Sequence, residues 1–198
     1  MKRIRLSWHE YFLVYEIVFL SLMAGLVYVL KTYFKTPMQI PGHTAIIWVI
    51  PYIIGIGLTK KFGAGTYIGL LAGLLMGTIG MADKGILEVF EWTAMGFTMD
   101  VVALGFRGHL GNPLVGILLG AFGSFNKTLV NYYITAQLYH STPLLIAGIG
   151  FAGTISLTFG GAGGAISAII VNRVQHVRFP TQTAKKAEKP NTKNQAQS

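Results

Sequence analysis

Glu88, Glu91 and Trp92 fall within five residues of one apolar stretch, and Asn126, Lys127, Asn131, Tyr133 and Gln137 within twelve residues of another. On a helix, residues four apart lie about 40° apart, so Glu88 and Trp92 share a face and Glu91 flanks it. Asn126, Tyr133 and Gln137 share a second face, with Lys127 and Asn131 on the adjacent one. Acids, an ammonium, amides and aromatic rings in apolar surroundings suit two kinds of work. They form a pocket for a small polar molecule, with aromatic walls and a few placed polar groups. Alternatively, Lys127 neutralises Glu91 or Glu88 and the amides bridge helices, a purely structural role. Aromatic faces attract cations, which favours a cationic heteroaromatic solute in the first case. Glu16 and Asp100 lie apart from this group, toward the opposite end of their stretches, where they either pair with basic residues or carry protons.

Catalytic and nucleotide motifs are absent from the sequence. It holds neither H-E-x-x-H nor G-x-S-x-G. "AFGSFNKT" departs from a phosphate loop at Ala121 and Asn126, where that motif has glycines, and it lies inside an apolar run. Asn126-Lys127-Thr128 spells a glycosylation sequon at a depth that excludes its use. There is no cysteine, which removes disulfides and thiolate metal sites. Neither enzymatic activity nor a cofactor or metal is expected, and active transport would require ions or another subunit.

The elements that must position these residues are membrane helices. The 198-residue chain is 52% hydrophobic and only 12% charged, with mean hydropathy +0.53; soluble domains average about 25% charged residues. Its net charge of +9 is distributed between apolar runs rather than along one folded face, which argues for a bilayer rather than nucleic acid. Six spans are expected: Tyr11 to Leu30, Thr44 to Leu58, Ala64 to Met81, Gly85 to Phe106, Pro113 to Leu138 and Thr142 to Asn172. The last is too long for one straight span, and the Gly160–Gly164 run is expected to bend it or to end a half-helix. Placing both termini in the cytoplasm puts twelve of the sixteen basic residues on that side, as cytoplasmic loops demand. The fold expected is therefore an all-α integral membrane protein, a six-transmembrane-helix bundle over residues 1–178. No cleavage site follows the first apolar stretch. Residues 179–198 form a polar, basic cytoplasmic tail without apolar periodicity, expected to be disordered.

Glycine recurs at Gly65, Gly69, Gly73 and Gly77, every fourth position of the third span. In lipid, small residues let backbones approach and gain van der Waals contact. Gly116 with Gly120, and Gly160 with Gly164, repeat the device. Such stripes either pack within the bundle or slide against a partner helix; the second use suits Ser21, Ala24 and Gly25 on the first span. The loop "KTYFKTPMQIPGH" between spans one and two carries Phe34, Gln39 and His43, placed to cover a pocket mouth.

Six spans, both ends inside, a small-residue patch on span one and an outer loop after it resemble the substrate-binding S components of energy-coupling factor (ECF) transporters. "PGHTAIIWVIPYIIGIGLTKKFGAGTYIGLLAGLLMG" and "GFTMDVVALGFRGHLGNPLVGILLGAFGS" look like the thiamine and hydroxymethylpyrimidine branch, and the likeness spans roughly residues 10 to 175. In that branch an acidic residue stands near the position of Asp100. The alanine-x-x-x-alanine patch of the family's first span is represented here by Ser21-x-x-x-Gly25. The resemblance implies a chain in the prokaryotic plasma membrane that captures a vitamin or vitamin precursor from outside. It implies a transmembrane coupling subunit and two ATP-binding-cassette ATPases as partners, with Ser21, Ala24 and Gly25 as the coupling-subunit contact. Two other classes fit the residues: a small ion-coupled carrier or channel using Glu16 and Asp100, and a membrane scaffold subunit without a ligand.

Overall fold

The computed structural model describes residues 12–33, 44–79, 84–106, 109–139 and 143–174. These form six α-helices: α1 (Val14–Tyr33), α2 (Ala45–Thr59), α3 (Ala64–Thr78), α4 (Glu88–Gly105), α5 (Pro113–Tyr139) and α6 (Pro143–Val174). A short 3-10 turn, Gly85–Leu87, leads into α4. The helix count over the described residues matches the number of apolar stretches. Three helices, α1, α5 and α6, contain segments long and apolar enough to cross a membrane, whereas α2 and α3 are shorter apolar helices.

Burial is distributed as lipid requires. Leu22, Phe90 and Phe151 are more than 60% exposed, whereas Glu16, Glu88, Glu91, Asp100 and Lys61 are buried. Charged side chains inside and large apolar ones outside are the arrangement of a membrane bundle, since an ionised group facing hydrocarbon is costly. Together with the span-length helices, this places the chain in a membrane.

Glycine lets two helix pairs approach to backbone contact. A Cβ on Gly69 would collide with the carbonyl of Trp92, and one on Gly73 would meet Cα of Val89 at 2.7 Å. Gly65 and Gly96 face each other across the same α3–α4 seam. The third-span stripe is therefore internal packing. Gly116 and Gly120 of α5 meet Gly164 and Gly160 of α6 in the same way. Here the structure corrects the expectation for the last span: α6 runs unbroken for 32 residues. Its glycines are compensated by the close approach of α5, so the run does not end the helix.

Helix ends are secured by local chemistry. Asn112 caps α5, its Oδ1 accepting from Leu114 N–H at 3.0 Å, and Pro113 follows at the first helical position, where no N–H is needed. Lys60 adopts φ +58° and closes α2 by donating its N–H to the Ile56 carbonyl. α3 has no side-chain cap of its own. Asp100, reaching across from α4, accepts from Gly65 N–H at 2.9 Å, Thr66 N–H at 2.8 Å and Thr66 Oγ1 at 2.7 Å. A carboxylate there satisfies orphan amides and faces the positive end of the helix.

Candidate functional site

The first turn of α4 supplies two buried carboxylates four helical steps or fewer from Trp92. Glu88 Oε2 accepts from Lys31 Nζ of α1 at 2.8 Å and from Trp92 Nε1 at 3.2 Å. Glu91 Oε1 accepts from Lys84 Nζ at 2.9 Å. Its Oε2 accepts from Asn131 Nδ2 at 3.1 Å and pairs with Lys127 Nζ at 3.5 Å, both from α5. Lys84 also donates to the Asn131 carbonyl at 3.1 Å. A buried carboxylate left with no ionic partner costs about 3–5 kcal/mol, and Glu91, with two ammonium groups and an amide on it, keeps partners when one is removed.

Aromatic rings form the floor. Trp92 is fully buried; Trp48 meets it edge-on at 5.2 Å and Tyr52 stacks at 6.4 Å, centroid to centroid. Trp48 and Tyr52 are one turn apart on α2, and Tyr52 Oη donates to the Trp92 carbonyl at 3.5 Å. The ammonium of Lys127 lies 4.5 Å from the Trp92 centroid and 5.6 Å from that of Trp48. Lys31 lies 5.0 Å from Trp92. These are cation–π distances.

Of the residues expected from sequence, the structure brings together Glu88, Glu91, Trp92, Lys127 and Asn131. Asn126 lies elsewhere on the α4–α5 seam, donating to the Ala94 carbonyl at 3.1 Å and to Thr98 Oγ1 at 2.6 Å. Tyr133 is 67% exposed and Gln137 is exposed. The face shared by Asn126, Tyr133 and Gln137 therefore does not turn inward as one unit; the Lys127–Asn131 face does. Phe34, Gln39 and His43 lie outside the described residues. On α1, Ala24 is fully buried in the core, and Ser21 Oγ lies 3.1 Å from Tyr67 Oη of α3. A Cβ at Gly25 would meet nothing within 4 Å, and Ser21 is half-buried.

Four cluster residues were not among those expected: Lys31, Trp48, Tyr52 and Lys84. Trp48 and Tyr52 carry a weak signal in their i, i+4 spacing. Lys31 and Lys84 read as ordinary flanking lysines. The opposite end holds Glu16, which accepts from Lys61 Nζ at 2.7 Å and from Leu13 N–H at 2.8 Å.

No protein-family model matches the sequence, and no curated protein is significantly similar to it. One solved structure is similar in fold, described as the crystal structure of an S-component of ECF transporter. It is 19% identical in sequence, with a TM-score of 0.57, over 92% of this chain and 98% of that one.

Proposed function

We propose that the chain is the substrate-binding S component of an ECF-type ABC importer, spanning the prokaryotic plasma membrane six times with both termini in the cytoplasm. The observation that carries this reading is the buried cluster of Glu88, Glu91, Trp92, Lys127 and Asn131, floored by Trp48 and Tyr52. Polar groups and rings converge there from α2, α4 and α5, with Lys31 added from α1, as they do in sites for small ring-containing solutes. The fold likeness supports the same class. The solute is a vitamin or vitamin precursor, with a thiamine- or hydroxymethylpyrimidine-like ring the first candidate.

The carrier alternative relied on Glu16 and Asp100. Both have their oxygens engaged in holding chain segments in place, a structural use of each. Transport in this reading needs a transmembrane coupling subunit and two ATP-binding-cassette ATPases. The face offered to the coupling subunit is centred on Gly25, beside Val18, Leu22 and Val29, all exposed. Ala24, turned inward, supports that face from behind, and the half-buried Ser21 borders it.

Purification in mild detergent followed by mass spectrometry of retained small molecules tests the reading, and a ring-containing solute is the expected result. In proteoliposomes, Gly25→Leu should spare binding yet abolish ATP-dependent uptake by the assembled transporter. A lone chain that concentrates solute using the proton gradient would overturn the proposal. A reporter after Lys193 should be cytoplasmic and one near Lys35 external.

A further inference from the structure

Resting on the proposal that this cluster binds a solute, we infer that the solute is an anion: a heteroaromatic ring bearing an acidic group. Among the described residues, three ammonium groups, Lys31, Lys84 and Lys127, meet two carboxylates, Glu88 and Glu91. The flanking segments add one charge of each sign, Lys35 and Asp83, so the surplus of one positive charge persists in the sequence around the site. A fixed charge excess in a weakly polarisable interior favours a ligand of opposite sign.

The layering of the charges points the same way. In every ion pair of the cluster the ammonium is more exposed than its carboxylate. The side chain of Lys31 is 32% exposed against 8% for Glu88. Lys84 and Lys127 are 12% and 14% exposed against 2% for Glu91. An entering molecule meets ammonium groups first. A cation would compete with Lys84, Lys127 and Asn131 for Glu91, and it would raise the excess further. Lys127 already occupies the cation position over the Trp92 and Trp48 rings. An anion instead takes up donor capacity that the two carboxylates leave over, since each ammonium carries three N–H groups. The expectation of a cationic solute, drawn from acids and aromatics alone, is thereby reversed, because it left out Lys31 and Lys84.

The test uses one ring in several charge states, titrated onto the purified full chain in detergent. The probes are hydroxymethylpyrimidine (neutral), its phosphate monoester and the matching pyrimidine carboxylate (anionic), and thiamine (cationic). One or both anions should bind at least about tenfold tighter than the neutral alcohol, with thiamine weakest; which anion wins separates phosphate from carboxylate chemistry. Lys127→Gln and Lys31→Gln should each weaken binding of that anion by roughly ten- to a hundredfold, the range for loss of a charge-assisted hydrogen bond. Two variants on different helices guard against one failing to fold. Tightest binding by thiamine or the neutral ring, or tighter anion binding after Lys127→Gln, would overturn the inference and leave the binding proposal standing. Where no probe binds, the net charge at pH 7 of the solute retained through purification decides in the same way. No bound probe and no retained solute would overturn both.

Discussion

Asp100 and Glu91 are both 1% exposed and sit on the same helix, yet they live in different chemistry. Asp100 holds the backbone amides of Gly65 and Thr66, which cannot move without α3. Glu91 holds Lys84, Lys127 and Asn131, side chains from two other segments. One carboxylate is locked into the frame; the other has partners on flexible stems that a ligand can engage. Glu16 with Lys61 belongs with Asp100: two charges, nearly equal in burial, closed on each other. Burial alone does not tell these two roles apart. Exchangeable partners and an unbalanced charge count do.

The comparison is broken most severely by disturbing the frame that holds both carboxylates. Gly69→Leu drives a side chain into the Trp92 backbone and should cost about 3 kcal/mol or more, at or beyond the top of the usual overpacking range. Folded yield in detergent and melting temperature read it. Wild-type stability would mean that the α3–α4 seam is not closed. Next, Lys61→Met should destabilise by about 3 kcal/mol, because it strands a buried Glu16. Adding Glu16→Leu should recover most of that loss, which a double-mutant cycle measures. Asp100→Ala should cost about 2 kcal/mol through the uncapped amides of α3, with solute binding per folded molecule unchanged. Reduced binding at full stability would move Asp100 into the site. The smallest stability effect, under about 1 kcal/mol, is expected for Lys127→Gln, since Glu91 keeps Lys84 and Asn131. Its effect should appear in binding instead. A large melting shift without a binding change would make this end structural as well.

Much of this organisation was legible along the chain. The six apolar stretches, the every-fourth-residue glycines and the pairing of Glu88 with Trp92 follow from local periodicity, which any helix must obey. Asn131 and Lys127 were legible as one face for the same reason. The use of each glycine stripe was not. Gly160 and Gly164 have the same local pattern whether they break a helix or seat another, and only the presence of Gly120 and Gly116 opposite them decides. The inward turn of Ala24 was likewise illegible, because small residues suit a core and a docking face equally.

The amino-acid sequence by itself determined that the chain is a helical membrane protein, that acids and rings gather near one end of α4, and that it carries no cysteine. Those properties depend on composition and on spacings within one helix. The tertiary structure alone decided which charges meet. It brought Lys31 from α1 and Lys84 from the approach to α4 onto Glu88 and Glu91, set Trp48 and Tyr52 under them, and turned Asp100 away to cap α3. Partners 57 and 40 residues apart in sequence are joined by helix packing, which no local period encodes. The sign of the site's charge depends on those partners, and so it emerges only when the helices are together.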